Sequence, residues 1–180
     1  MPMSFMKRNN IKAYFITCAA LVFFMTGCDN ADYKILDNAI YFSEAESGNF
    51  EKITADPENV TTTSLNIRLA EALVEDVEAT LVIDPSILEE YNTANSTSYE
   101  VLPEKYYTFN KDIKIKAGDV SAEATNFSIK PYATPNGESY AIPVAISVTK
   151  GNVSTIGTSG KYLILLNQPL IQAVPVMNWK

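Results

Sequence analysis

Apolar residues recur at every second position over much of this chain. Leu65, Ile67 and Leu69 alternate with Ser64, Asn66 and Arg68. Val77, Ala79, Leu81 and Ile83 alternate with Glu78 and Thr80. Ile113 and Ile115 alternate with Asp112, Lys114 and Lys116, and Thr125, Phe127 and Ile129 with Asn126, Ser128 and Lys130. Ile142, Val144, Ile146 and Val148 line a further face. A period of two predicts strands buried on one side. Residues 162–166 are apolar at every position, which predicts a central strand covered on both faces. Residues 39–42 and 50–53 predict two more short strands.

Turn chemistry separates these runs at Lys116-Ala117-Gly118-Asp119, Pro135-Asn136-Gly137-Glu138 and Lys150-Gly151-Asn152. Pro143 lacks an N–H and predicts a sheet edge or a bulge. Residues 84–95 break the alternation and predict a short helix. Asp84 is its cap and Pro85 its first helical residue. Ile87 and Tyr91, four apart, form its apolar side. Glu89 and Glu90 are placed toward the positive end of its dipole, and Asn95 is the expected left-handed exit. The predicted fold is an all-β, immunoglobulin-like β-sandwich with one short helix inserted after an inner strand.

The amino-terminal segment has a different character. Lys7, Arg8 and Lys12 precede an apolar run over residues 13–25, and no acid occurs before Asp29. The run is shorter than the roughly 20 residues a spanning helix needs and fits the core of a signal peptide. It closes on Met25-Thr26-Gly27-Cys28. That ending resembles a bacterial lipoprotein signal, departing from the pattern only in Met25 where leucine is common. The resemblance implies cleavage between Gly27 and Cys28 and lipid on the Cys28 thiol. Several acyl chains would anchor the protein stably. On this reading residues 1–27 are signal, 28–38 a lipidated tether, 39–168 the sandwich, and 169–180 a connector to a second domain or a free tail. The membrane is then a partner through the anchor. The expected location is the outer membrane at the cell surface, with the periplasmic leaflet as the alternative.

Charge and composition narrow the chemistry. The chain carries a net charge of −7, and residues 1–27 hold three of its 14 basic residues and none of its 21 acids. From Cys28 onward the charge is therefore −10, which repels phosphate backbones and disfavours nucleic acid as a partner. Histidine is absent, which removes Ser-His-Asp and Cys-His catalysis and His-based zinc sites. Cys18 falls in the signal and Cys28 carries lipid, so the folded part has no disulfide and no thiol nucleophile. No cofactor or metal is expected.

A family resemblance attaches to the segment around the helix. Residues 77–85, Glu90-Tyr91-Asn92, Tyr99, Leu102-Pro103, Tyr107, Ile115-Lys116-Ala117-Gly118 and Pro143-Val144 occur in an order that resembles the Bacteroidetes domain-of-unknown-function 1735 family. This is the type of N-terminal domain that precedes some glycoside hydrolase family 18 endo-β-N-acetylglucosaminidases. The resemblance spans residues 39–166. Ser96 departs from the glycine common at its place, and a stiffer helix exit is expected from it. The resemblance implies a sandwich on cell-surface lipoproteins encoded among glycan-utilisation genes, with no catalytic residues to carry over. Glycans and other surface glycan-utilisation proteins are the partners it implies. The expected role is a non-catalytic spacer or accessory module in glycan capture. The alternatives are a weak carbohydrate binder, an adhesin or assembly subunit, and the front part of an endoglycosidase.

Within the chain, Glu75/Asp76 and Glu89/Glu90 are paired carboxylates. Sequence neighbours do not face one another as a glycosidase pair must, so solvated surface is the better account. Tyr106, Tyr107 and Tyr132 are the candidate sugar-stacking residues, with Phe109 and Tyr140 beside them, although Tyr is also an ordinary core residue. Replacing the lipidated thiol tests the anchor: Cys28→Ala is expected to abolish incorporation of labelled palmitate and membrane association, and retained labelling would contradict it.

Overall fold

The computed structural model describes residues 38–132 and 139–167. The signal, Cys28 with Gly27, the Asn136-Gly137 turn and the tail from Gln168 lie outside them. Eleven strands follow in order: β1 (Ile40–Phe42), β2 (Phe50–Thr54), β3 (Thr61–Leu65), β4 (Ile67–Leu69), β5 (Val77–Ile83), β6 (Glu100–Val101), β7 (Tyr107–Thr108), β8 (Asp112–Ile115), β9 (Thr125–Ile129), β10 (Tyr140–Lys150) and β11 (Lys161–Asn167). One α-helix, α1 (Pro85–Asn95), follows β5. The larger sheet has the order β2-β11-β10-β5-β8, with β6 added alongside β10. A three-stranded sheet, β3-β9-β7, and the pair β1-β4 complete the β-structure. This is an all-β sandwich with a short inserted helix. Most pairings are antiparallel, but β2 runs parallel to β11 and β6 parallel to β10.

The main core takes alternate residues from each strand. Phe42, Leu65, Ile67, Leu81, Ile115, Phe127, Ile129, Ile142 and Ile164 are all fully buried in it. β11 divides its side chains between two compartments. Tyr162, Ile164 and Leu166 face this core, while Leu163 and Leu165 face away and pack with Ala141 against Ile87 and Leu88 of α1. That division explains the unbroken apolar run: both faces are covered. Burying each such side chain stabilises by about 1.5–3 kcal/mol relative to exposure.

Where the alternation misleads, backbone satisfaction explains the outcome. The expected strand through Leu65, Ile67 and Leu69 is two strands in different sheets, with β3 on β9 and β4 on β1. The switch falls at Asn66. Its backbone N–H and its side-chain amide both donate to the Glu44 carboxylate, at 3.1 and 2.8 Å, and its carbonyl accepts from Ser43 N–H. Glu44 thus supplies the bonds that a continuing ladder would have made.

Pro143 is neither at an edge nor at a bulge, because β10 is a central strand. On one flank its residues Tyr140–Ala145 pair with β11 without a break. On the other, the antiparallel partner β5 ends at Ile83, opposite Val144, and the parallel partner β6 begins at Ala141. Pro143 lies at that change of partner, where a missing N–H costs no ladder bond. Its carbonyl accepts from Asp84 N–H, at the point where the chain leaves β5 for α1.

The helix start agrees with expectation, since the Asp84 carboxylate accepts from Ser86 N–H at 3.1 Å and from the Ser86 hydroxyl at 2.7 Å. The exit does not. Asn95 stays helical and Ser96 adopts the left-handed conformation, with φ 53°, which explains why glycine suits this place. Glu89 and Glu90 lie beyond the first turn, where the dipole effect has faded; Glu90 instead pairs with Lys161 at 3.7 Å. The turn at Gly118 forms as expected at φ 86°, with Asp119 N–H bonded to Lys116 O. In urea denaturation, Ser96→Gly is expected to raise stability by about 0.5–1 kcal/mol by relieving the left-handed strain. Asp84→Ala is expected to lower it by about 0.5–2 kcal/mol through the lost cap.

Candidate functional site

Two groups of aromatic rings flank the larger sheet, and the chain brings each together from distant segments. The first holds the tyrosines singled out in the sequence. A short 3-10 turn after Pro103 carries Tyr106, whose ring lies 5.9 Å from that of Tyr132, which in turn meets Tyr140 edge-on at 5.5 Å. Lys105 Nζ sits 4.8 Å from the Tyr106 ring centre. Tyr107 points inward and joins Phe109 and Phe127 in a stacked row, with centroids 6.0 and 4.6 Å apart. Tyr107 is 5 % exposed and Tyr132 is 7 % exposed. Burial pushes the Tyr132 hydroxyl up to about 12, with Tyr140 adding to the effect. Both are core residues here, their rings spent on packing, and Tyr106 alone of the three keeps part of its ring at the surface.

The second group escaped the sequence reading. Phe50 of β2 is 44 % exposed, a large apolar residue on the outer face of the sheet. It meets Tyr91 of α1 edge-on at 5.3 Å, and Tyr91 meets Tyr99 edge-on at 6.2 Å. Lys52 Nζ lies 6.0 Å from the Phe50 ring centre. The register places this row. Phe50 pairs with Leu163 in the parallel β2–β11 ladder, so its side chain leaves the sheet on the side that α1 covers. Asn92 fixes the far end: its amide donates to Tyr99 O at 2.9 Å, and its side-chain oxygen accepts from Tyr99 N–H at 3.0 Å and from the Thr97 hydroxyl at 2.8 Å. The Glu90-Tyr91-Asn92 and Tyr99 motif thereby acquires a structural meaning. Only a parallel pairing over more than one hundred residues brings Phe50 to it, and local sequence carries no signal of that.

The carboxylates are structural in their contacts. Asp76 accepts from Ala117 N–H at 3.0 Å, and that bond holds its carboxyl below the usual carboxylate range, with the Lys114 charge assisting. Lys114 lies 3.6 Å from Asp76 and 3.5 Å from Glu78, and Lys150 lies 3.7 Å from Glu78. Such exposed pairs contribute little, because solvent screens them. Glu51 differs. It points inward from β2, half-buried, and accepts from the Thr63 hydroxyl at 2.9 Å. Burial raises its carboxyl above the ordinary value; the Thr63 hydroxyl opposes this and the Glu44 charge adds to it. Above it, the Tyr162 hydroxyl is pushed up to about 12 by burial, with Glu51 and Glu44 contributing.

Two recesses lie on the surface of the described residues. An apolar cleft of about 470 Å³ lies between the end of β5 and the Val101–Glu104 segment, and the Lys111–Glu104 pair at 3.2 Å is among its lining residues. A polar groove of about 350 Å³ is lined by Asn110, Asp112, Lys114, Glu123 and Asn126. Among the described residues no group of three or more acidic, His or Cys side chains is placed to hold a metal ion.

A family model described as an N-terminal domain matches residues 36–153, more than half of the chain. The chain belongs to this family. The match covers most of the segment that resembles the domain of unknown function 1735. Solved structures agree on the fold. A candidate carbohydrate-binding protein from Bacteroides ovatus is 24 % identical with a TM-score of 0.62, covering 73 % of this chain and 37 % of its own. EndoBT-3987 from Bacteroides thetaiotaomicron, solved with a Man5GlcNAc product, is 21 % identical with a TM-score of 0.52, covering 72 % and 30 %. A multidomain protein from Bacteroides ovatus that includes a domain of unknown function 1735 is 17 % identical with a TM-score of 0.51, covering 72 % and 44 %. The chain thus spans less than half the length of each of these three structures. No curated protein matches it.

The raised Glu51 carboxyl has a consequence for stability against pH. The folded chain holds this proton at pH values where the unfolded chain has released it, so the stability it lends is present below about 4.5 and is lost as pH rises through the folded value. Glu51→Gln keeps an acceptor for Thr63 and removes the charge. It is expected to raise the urea midpoint at pH 7 and to change it little at pH 4; an equal shift at both would contradict burial as the cause.

Proposed function

We propose that this chain is a non-catalytic accessory module in glycan capture, held at the outer membrane by lipid on Cys28 and acting at the cell surface. The observation that carries the glycan part is the membership of an N-terminal-domain family whose fold recurs in a candidate carbohydrate-binding protein and in EndoBT-3987 with its Man5GlcNAc product. The non-catalytic part is supported by the carboxylates. Glu75/Asp76 and Glu89/Glu90 are surface pairs, and Asp76, Glu78 and Glu90 are engaged by lysines or backbone. The absence of histidine agrees with it. In this role the sandwich lifts a neighbouring binding or hydrolytic module from the bilayer and contributes weak sugar contacts of its own.

The exposed aromatic surface favours a contribution to binding over a spacer alone. A half-exposed ring such as Phe50 offers the C–H-rich face of a sugar an apolar surface to stack on. Affinity electrophoresis of the full chain through gels containing polysaccharide is expected to retard it on at least one glycan, with no release of reducing ends. Release of reducing sugar would make it an enzyme. Unretarded migration on every glycan would remove the glycan part of the reading.

A further inference from the structure

We propose that the Phe50 ring, with Tyr91 at its edge, is the stacking platform of a site for a neutral sugar residue of a glycan. The inference rests on the reading above and names the site within it. Three observations locate it. Phe50 stands on β2, the outermost strand of its sheet, and 44 % of its surface is open although its register partner Leu163 is only 3 % exposed. The helix covers the sheet over Leu163 and Leu165 and reaches the next lane through the Tyr91 ring. Tyr91 braces the ring from the helix side at 5.3 Å and is itself backed by Tyr99 at 6.2 Å, whose backbone Asn92 locks with two hydrogen bonds. The platform is thereby held before a ligand arrives, which lowers the ordering cost of binding.

The polar groups around the ring select the ligand class. Lys52, two residues on and on the same face, carries its ammonium 6.0 Å from the ring centre. On the same outer face Lys161 and Glu90 form a 3.7 Å pair. Lys161 shares the outer face of β11 with Leu163, one pleat away, and Glu90 precedes Tyr91 on α1. A pyranose has one C–H-rich face for an aromatic ring and a rim of hydroxyls that both donate and accept. The Lys52 ammonium beside the ring, with the Lys161–Glu90 pair on the same face, supplies donors and an acceptor for that rim. A protein partner would need a contiguous apolar area of several hundred square ångströms, and here these charges interrupt the apolar surface. A nucleic acid would meet a strongly acidic chain.

The test uses the full chain and a panel of neutral oligosaccharides (mannopentaose, chitopentaose, xylopentaose and cellopentaose), with affinities from titration and a matched denaturation curve for each variant. Phe50→Ala is expected to weaken binding of the bound sugar roughly 3- to 10-fold, the scale of one aromatic contact. Phe50→Trp is expected to retain it. Val74→Ala, at a position 99 % exposed, is expected to leave it unchanged. In the wild type, the same sugar is expected to shift the amide resonances of Phe50, Lys52 and Tyr91, a readout that needs no variant to fold. If the chain binds a sugar while Phe50→Ala binds equally well, or the shifts cluster elsewhere, the site is overturned and the function stands. If the wild type binds no member of the panel, neither the site nor a binding role survives.

Discussion

The burial of β11 on both faces is the constraint from which the rest of this molecule follows. A strand with Tyr162, Ile164 and Leu166 on one side and Leu163 and Leu165 on the other cannot face water anywhere. The three-stranded sheet and the β1-β4 pair supply one cover. The other has to come from outside the sandwich, and α1 is the element that supplies it. The helix is therefore a structural lid on the outer face rather than an ornament in a loop. Its cap at Asp84, its exit at Ser96 and the Asn92 bonds to the following segment all serve to hold Ile87 and Leu88 over that face. With only 11 residues, such a helix is marginal on its own, so its stability comes from the strand it covers.

How much of this could be read from the chain follows from the range of each interaction. Period-two patterning found β5, β8, β9 and β10, because half-burial imprints itself on every second residue, while β11 showed as an unbroken apolar run because both of its faces are covered. The helix cap was legible for the same reason: Asp84, Pro85 and Ser86 lie within three residues of one another. Two of the departures involve partners far away. Nothing near Asn66 announces that Glu44, 22 residues earlier, will take its bonds and release the strand to another sheet. Nothing near Pro143 announces that one flank changes partner there. The left-handed residue fell one position later than expected, a shift too small for composition to resolve. The left-handed outcome at Ser96 is one that glycine would adopt without steric cost.

The aromatic residues repeat this lesson at the candidate site. Clustered in sequence, Tyr106 and Tyr107 attract notice, yet Tyr106 closes a 3-10 turn while the next residue opens β7, and only one of the two is drawn into the core. Tyr107 is that one. Phe50 sits in an unremarkable Asn-Phe-Glu-Lys stretch. Its exposure depends on three facts with no local signature: β2 pairs in parallel with β11, β2 is the outermost strand, and α1 meets it at the edge of the Tyr91 ring. An exposed ring on an edge strand is thus a property of topology, and only assembled coordinates show it.

An open apolar residue on an edge strand is normally a hazard, because free backbone groups beside it invite another strand to pair. β2 is guarded by its own alternation. Glu51 points inward, where burial keeps its carboxyl reluctant to ionise, and Lys52 points outward beside the ring. An incoming strand would have to bring its apolar residues against a lysine on one face and a half-buried carboxylate on the other. A sugar makes neither demand. It needs no backbone ladder, it tolerates a cation at its rim, and it can use the single ring that the edge leaves open. Lys52, which discourages strand addition at β2, is therefore also a group that suits the site to a small polyol. One short strand so reconciles an uncovered edge with a surface that recognises something other than itself.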